Sequence, residues 1–409
     1  MEVLYPRCAG LDVHSRRVNA CVRVAAGRTV TTEHREFATT TAGLLELAAW
    51  LTEAGCTHVA MEATGVYWKP VWHILEDEES FTLVLANAQH IQNVPGRKSD
   101  RNDAAWIADL LAHGLIRGSF VPPAPIQALR DLTRTRKQLV GEIARHAQRL
   151  QKTLEDANVK LTRVVTDILG VSGRAILTAI IAGQTDPERL ADCTNGRLKA
   201  SRADIVAAVH GRVTPHHRFL LELHLSQVDA LSAAVQKLER QADEVLRPFR
   251  EAADRLKTMP GVSETVARVI ISEVGVDMAQ FPSAGHLVSW AGLCPRLDES
   301  AGKRRSTRIR HATPWLKTAL VQAAWAASRK NGSYLQAQYR RLKGRRGPKK
   351  AIVAVAASML TAAYFMLRDE TDYHDLGGRY LADRDADRVK QRLLRRLRDL
   401  GVEVEVKAA

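Results

Sequence analysis

Four carboxylates and one hydroxyl are placed where they could do phosphoryl-transfer chemistry. Asp12 lies in the otherwise apolar run CAGLDVHS, where an ionised carboxylate costs several kcal/mol unless it is paired or metal-bound. Glu62 sits likewise at the end of VAMEAT. Asp100 and Asp103 are three apart at a predicted helix start, so both project from one face of its first turn. Four carboxylates on one edge would bind two divalent ions roughly 4 Å apart, the arrangement that serves phosphoryl transfer. Oxygen-only ligands favour Mg²⁺ or Mn²⁺ over zinc. Each acid also has a plain structural reading: Asp100 as a first-turn carboxylate favoured by the helix dipole, Asp12 or Glu62 as a satisfied core acid. Ser300 stands in Asp298-Glu299-Ser300-Ala301-Gly302-Lys303-Arg304-Arg305. A flexible turn beside three cations can present a hydroxyl to a phosphate and stabilise the charge that develops there. As a bare pattern it also fits an ordinary loop serine. No Gxxxx-Gly-Lys-Ser/Thr loop is present, which leaves ATP-driven chemistry unsupported. His216 and His217 are adjacent, so on a helix they point different ways and do not suit a metal pair.

The elements that must position these residues alternate through the first part of the chain. CAGLDVHS, RVNACVRVA and RTVTTEHREFA read as an antiparallel meander turning at Gly27-Arg28. Thr41 can cap a helix through LLELAAWLTEAG, ended by Gly55. HVAMEAT is then a strand, VYWKPVWHILED a helix and FTLVLANA a strand; Ser99 can cap DRNDAAWIADLLAHG. The order βββαβαβα is that of a ribonuclease-H-like, or RuvC-like, α/β fold. In such a sheet the first strand, the fourth strand and the last helix converge on one edge, which would gather Asp12, Glu62, Asp100 and Asp103.

Pro122, Pro123 and Pro125 mark a boundary. Beyond it apolar residues recur in alternating steps of four and three, from residue 143 to 168 and again from 228 to 256. That spacing is a coiled-coil seam or a long helical hairpin, with a compact bundle within one chain as the alternative. Pro248 should kink or end the second run. LKTMPGVSETVARVIISEVG resembles a helix–hairpin–helix whose turn amides can grip a phosphate, although Ser263 replaces the usual second glycine. The expected organisation is α/β plus all-α: an α/β domain over residues 1–120, a helical coiled-coil region over 121–255, a mostly helical domain over 256–370 and a charged helical tail over 371–409.

Charge narrows the class of partner. The 409 residues carry 60 Lys+Arg against 45 Asp+Glu, a net +15. Fifteen of those cations fall between Lys303 and Lys350, a stretch without Asp or Glu, and the rest of the chain is neutral. A solvated face usually mixes both signs, so this one points to a nucleic acid; Lys303, Arg304, Arg305, Arg308 and Arg310 lie nearest Ser300. Apolar residues are 45% of the chain, enough for a sizeable core and against disorder. Cys8, Cys21, Cys56, Cys193 and Cys294 are odd in number and lack CxxC spacing, which fits reduced thiols in a cytoplasm. MEVLYPRCAG has no apolar core of a signal peptide. Ala351 to Leu367 is uncharged but slightly short for a span and Ala-rich, so a buried helix is expected and no membrane.

GLDVHSR, MEATGVYW, GRKSDRNDAAWIADLL, TMPGVSETVA, WAGLCPRLDESAGKRRS and LKTALVQAAWAA follow one another in order. Together they resemble the DEDD transposases of bacterial insertion sequences, insertion-sequence family one-hundred-and-ten, related to the Piv-type DNA invertases. The resemblance covers roughly residues 8 to 370. It implies a RuvC-like N-terminal domain, a coiled coil and a C-terminal transposase domain holding a nucleophilic serine. By that match Asp12, Glu62, Asp100 and Asp103 fill the DEDD positions and hold Mg²⁺, and Ser300 is the serine. It implies a bacterial, cytoplasmic enzyme that is nucleoid-associated when bound to DNA. The partners implied are donor and target DNA, a non-coding bridge RNA and a second copy of the chain, a homodimer assembling to a tetramer on DNA.

The reaction expected is DNA recombination through a phosphoserine link. Ser300 lies some two hundred residues from the acids, so a composite site must assemble by folding or between protomers, and an intervening coiled coil favours the latter. Three other readings compete. One is a hydrolytic nuclease or Holliday-junction resolvase in which Ser300 is incidental. Another is a non-enzymatic nucleic-acid-binding protein. The third, an actin-like ATPase suggested by Gly10-Leu11-Asp12, would need glycine-rich phosphate loops that are not found.

Overall fold

The computed structural model describes the backbone of residues 2–63, 65–78, 80–87, 91, 103–195, 198–295, 298–300, 302–306, 308–309, 314–384 and 386–402. It describes the side chains of all of these except 298–300, 304–305 and 387–389. Two compact units result, Met1–Val121 and Pro122–Ala409.

The first unit is a mixed α/β layer structure. Strands β1 (Arg7–Val13), β2 (Arg17–Ala26) and β3 (Thr29–Ala38) form the antiparallel meander. β4 (His58–Glu62) adds in parallel to β1, and β5 (Thr82–Ala86) in parallel to β4, giving the order β3-β2-β1-β4-β5. Parallel partners need crossover helices. α1 (Thr41–Glu53) and α2 (Trp68–Glu76) supply them and cover one face, where Leu11, Val13, Val59 and Met61 pack with Leu47, Leu51 and Leu75. The cap of α1 is Thr40 rather than Thr41: its side chain accepts from the Gly43 amide, and Thr41 is the first helical residue. α3 (Asp103–Ala112) covers the opposite face against Cys8, Ala60 and Cys21. Its Asp109 is pinned by the buried Arg23 of β2, Nε to Oδ1 3.2 Å. Ser99, expected to cap this helix, lies outside the described residues.

The contact between α3 and β1 depends on one glycine. A Cβ built on Gly10 would lie 2.2 Å from the Ala104 carbonyl oxygen and 2.4 Å from the Ala108 nitrogen. The first turns of α3 therefore lie directly over the C-terminal half of β1.

The second unit is helical apart from one short β-hairpin among its described residues. α4 (Ala124–Asp156) and α8 (Pro215–Leu246) pack on each other as an antiparallel hairpin, for Arg136 meets Glu239 at 2.7 Å while His146 meets His224. At 1.5 Å per residue each arm is about 50 Å long. The two apolar runs thus pair with each other within the chain. Between them α5 (Val171–Ile181), α6 (Pro187–Asp192) and α7 (Arg202–Val209) close a small core at the hairpin tip with Leu150, Leu154, Leu221 and Leu225. The first run was expected to stay in register to residue 168; its helix stops at Asp156 because Asn158 takes a left-handed φ of 56°. Val159, Leu161, Val165 and Ile168 still bury their side chains, from non-α-helical backbone. Pro248 acts as expected: α8 gives way to a 3₁₀ turn at Arg247–Phe249.

At the root of the hairpin lie α9 (Arg250–Lys257), α10 (Glu264–Val274), α11 (Ala284–Trp290), α12 (Pro314–Ala327), α13 (Tyr334–Arg346) and α14 (Pro348–Arg368). Glu273, 1% exposed, accepts from Nε and Nη2 of Arg134, one on each carboxylate oxygen, at 2.8 Å, and Arg130 donates to the Ser272 and Glu273 carbonyls at 2.9 and 2.7 Å. This buried clamp ties α4 to α10. α14 has 21 residues and is long and apolar enough to cross a membrane by length and composition. It packs instead against α9, α11, α12 and α13, and the Tyr364 hydroxyl donates to the Phe281 carbonyl at 3.1 Å. The chain closes with α15 (Tyr380–Arg384) and α16 (Ala386–Asp399).

Candidate active site and nucleic-acid surface

Asp12 and Glu62 meet on one face of the sheet. β1 and β4 run parallel with Leu11 opposite Met61, so the next residues, Asp12 and Glu62, stand side by side at the C-terminal ends of adjacent strands. Side chains alternate along a strand. Leu11 and Met61 face α1 and α2, so Asp12 and Glu62 face the side that α3 covers. Asp103, half-buried, is the first residue of that helix, one residue before the Ala104 carbonyl that touches Gly10. The structure therefore brings three of the four expected acids to one end of one face. Asp100 lies outside the described residues.

Asp12 is held by two residues that were not singled out in the sequence. The His14 Nε2 is 3.0 Å from its Oδ2, and the Asn19 amide donates to the same oxygen at 3.5 Å. Asn19 is the cross-strand partner of Asp12 in β2. His14 was legible as a polar residue two positions beyond the acid; Asn19 needed the register. The Asp12 side chain is 20% exposed, so one side of the carboxylate remains open to a ligand. Carboxylate oxygens suit a hard divalent cation. Among the described residues no three of His, Cys, Asp and Glu are close enough to form a complete metal cage.

All five cysteines are free, and burial pushes Cys8 up to about 12 and Cys21 and Cys56 up to about 11.

In the second unit Ser300 lies on a β-hairpin rather than a flexible turn. β6 (Asp298–Ser300) pairs antiparallel with β7 (Lys303–Ser306), Ser300 opposite Lys303 and Glu299 opposite Arg304. Gly302, at φ 72°, makes the turn, and a bridge between Pro295 and Ile309 closes the base. Ser300 is thus the last residue of its strand, directly before the tip. Lys303 and Arg308 are exposed; the side chains of Ser300, Arg304 and Arg305 and all of Arg310 lie outside the described residues. The turn expected to grip a phosphate is occupied by packing. A Cβ on Gly261 would lie 2.3 Å from the Ala323 carbonyl oxygen of α12, and Ser263 caps α10 by accepting from the Val266 amide. The remaining cations of the basic stretch concentrate on α13, where Arg340, Arg341, Lys343, Arg345 and Arg346 are all exposed.

Comparison with known proteins gives a consistent answer along the chain. A family model of the IS110 DEDD type, described as transposase, matches residues 9–159, and a second, described as transposase of the IS116/IS110/IS902 family, matches residues 253–340. The 42 kDa protein of insertion element IS900 from Mycobacterium paratuberculosis is 26% identical over 334 residues, 71% of this chain and 80% of its own length. The 43.6 kDa protein of insertion element IS110 from Streptomyces coelicolor is 27% identical over 303 residues, 68% of this chain and 73% of its own length. The acids of the first unit and the serine hairpin of the second both fall inside the matched ranges. The chain belongs to the IS110 family of transposases, proteins that bind, cut and rejoin DNA.

Proposed function

We propose that this chain exchanges DNA strands through a phosphoserine intermediate, with Ser300 as the attacking hydroxyl and a Mg²⁺ site, Mn²⁺ being an acceptable substitute, on Asp12, Glu62, Asp100 and Asp103. The observation that carries the reading is the side-by-side placement of Asp12 and Glu62 at parallel strand ends, beneath the helix that begins at Asp103. The strand order β3-β2-β1-β4-β5, with helices on both faces, supports a ribonuclease-H-like assignment for this unit. When bound, the metal supplies positive charge to the phosphate and to the oxygens entering and leaving it. His14 and Asn19 fix the orientation of Asp12.

The step balances without an energy source. The Ser300 Oγ loses its proton and forms the new P–O bond; the bond from phosphorus to the 3′ oxygen breaks, and that oxygen leaves as a hydroxyl. A 3′ hydroxyl from another strand reverses the step. One phosphodiester replaces another, so rejoining is close to isoenergetic, in keeping with a sequence that has no nucleotide-binding loop. Lys303, Arg304 and Arg305 follow the serine around the turn and supply charge for the pentacoordinate phosphate. The family resemblance supports selection of the DNA by a bridge RNA. Leu139, Ile143, Leu231 and Val235 remain only half-buried in mid-hairpin, which supports a second copy packing there.

The test is a denaturing gel of labelled DNA incubated with the unaltered chain and with Ser300→Ala, with and without protease. A slow, protease-sensitive band with the unaltered chain alone is expected, lost also in Asp12→Asn and Glu62→Gln. Equal cleavage by the Ser300→Ala chain without such a band would establish the hydrolytic reading, and cleavage retained in both acid variants would remove the metal site.

A further inference from the structure

The tail folds back onto the basic stretch and forms a groove with it. Gly378 donates to the Gly332 carbonyl at 2.7 Å, and the Asp375 carboxylate accepts from the Tyr334 amide at 2.9 Å. Arg341 donates to the Leu381 carbonyl at 3.3 Å, which seats α15 beside α13. Between α13 and α16 lies a cavity of about 1140 Å³. Arg341 and Arg345 line it from one helix, Lys390, Arg392 and Arg395 from the other, and none of the described lining residues is acidic. Among the described residues Arg345, Lys390, Arg392 and Arg395 have no carboxylate partner and are exposed.

The groove also has an apolar component. Leu393 and Leu397 line it while remaining 52% and 37% exposed. Gly378 is shared with an adjoining shallow cavity lined by Tyr380, a residue 38% exposed whose ring stands edge-on to Tyr334 at 5.8 Å. Cations on two facing helices with apolar and aromatic surface between them match a phosphate backbone whose bases are free to reach that surface. A duplex keeps its bases stacked inside. A membrane-surface helix needs its apolar side on an open plane, whereas here that side faces into a groove. The five cations and both leucines fall outside the ranges, 9–159 and 253–340, that the family models match.

We propose that the groove between α13 and α16 is a binding site for single-stranded nucleic acid, separate from the serine hairpin. The inference rests on the chain acting on nucleic acid and not on the phosphoserine. Its test is fluorescence anisotropy of a labelled oligothymidylate of about twenty nucleotides and of a duplex of equal length, titrated with the full chain over a range of salt.

The triple variant Lys390→Ala, Arg392→Ala, Arg395→Ala should bind the single strand roughly ten-fold more weakly at 0.1 M salt. Its log–log salt slope should be flatter by about two, at about 0.7 per lost contact. Duplex affinity should change less than about two-fold, because Lys303, Arg308 and their neighbours are untouched. Exchanging the same positions among Lys and Arg should preserve binding. All three side chains are exposed, so unchanged thermal unfolding checks that the fold is intact. The anisotropy reads binding without any strand cleavage, so failure of the phosphoserine reading leaves this result standing. An unchanged single-strand affinity overturns the proposal. Equal loss for strand and duplex does so as well, as does loss confined to sedimentation with acidic phospholipid vesicles.

Discussion

A methyl group at residue 10 would have no room. Its position, 2.2 Å from the Ala104 oxygen, is set against backbone rather than a flexible side chain, so relief requires α3 to move. Gly10→Ala is expected to cost about 1–3 kcal/mol or more, the usual range for overpacking, read as a lower denaturant midpoint. The proposed strand exchange should fall further than stability, because the helix that shifts begins at Asp103, one of the acids of the proposed metal site. A Gly10→Ala chain with an unchanged midpoint would show that the contact is soft. Asp12 and Glu62 were legible because a carboxylate in an apolar strand is costly without a partner. Gly10 was not: a strand glycine reads as weak packing until the helix above it is known. Ser300 drew notice through the three cations that follow it, but that pattern also fits an ordinary loop serine, so its proposed role rests on the resemblance.

Among the elements, the α4–α8 hairpin carries a titratable pair towards its tip. The rings of His146 and His224 stand 5.3 Å apart. Burial holds His224 below its ordinary range, with the charges of His146 and Arg149 acting in the same direction. The folded state thus binds its proton less readily than the unfolded chain does. Stability is retained above the unfolded value near 6.5 and falls as the pH drops below it, levelling off under the depressed folded value. Thermal unfolding followed from pH 7.5 to 5.5 should show a declining midpoint, with a shallower decline in His224→Gln. Equal slopes would exclude the pair as its source. The 3–4 apolar spacing revealed both arms of the hairpin but not the end of the first. No Gly or Pro stands at residues 156–160, and the apolar steps continue through a left-handed Asn158 into irregular backbone that still packs. Burial kept the period after the helix had lost it.

Over the whole molecule, charge was the most legible property, because a count does not depend on the fold. Replacing Arg304, Arg305 and Arg308 by Ala should flatten the log–log salt dependence of duplex DNA binding by about two to three. An unchanged slope in a filter-binding titration would mean that these cations face solvent. The return of the tail onto α13 was not legible, since it rests on contacts such as Asp375 to Tyr334 between distant positions. α14 carries a different consequence. Its packing partners α9, α11, α12 and α13 all precede it in the chain. Chains emerge from the ribosome N-terminus first, and domains generally fold as units in that order. When this apolar segment leaves the exit tunnel, every surface it needs has already been synthesised. The most insertion-prone stretch of the protein can therefore be covered as it emerges, without waiting for a packing partner still to be made.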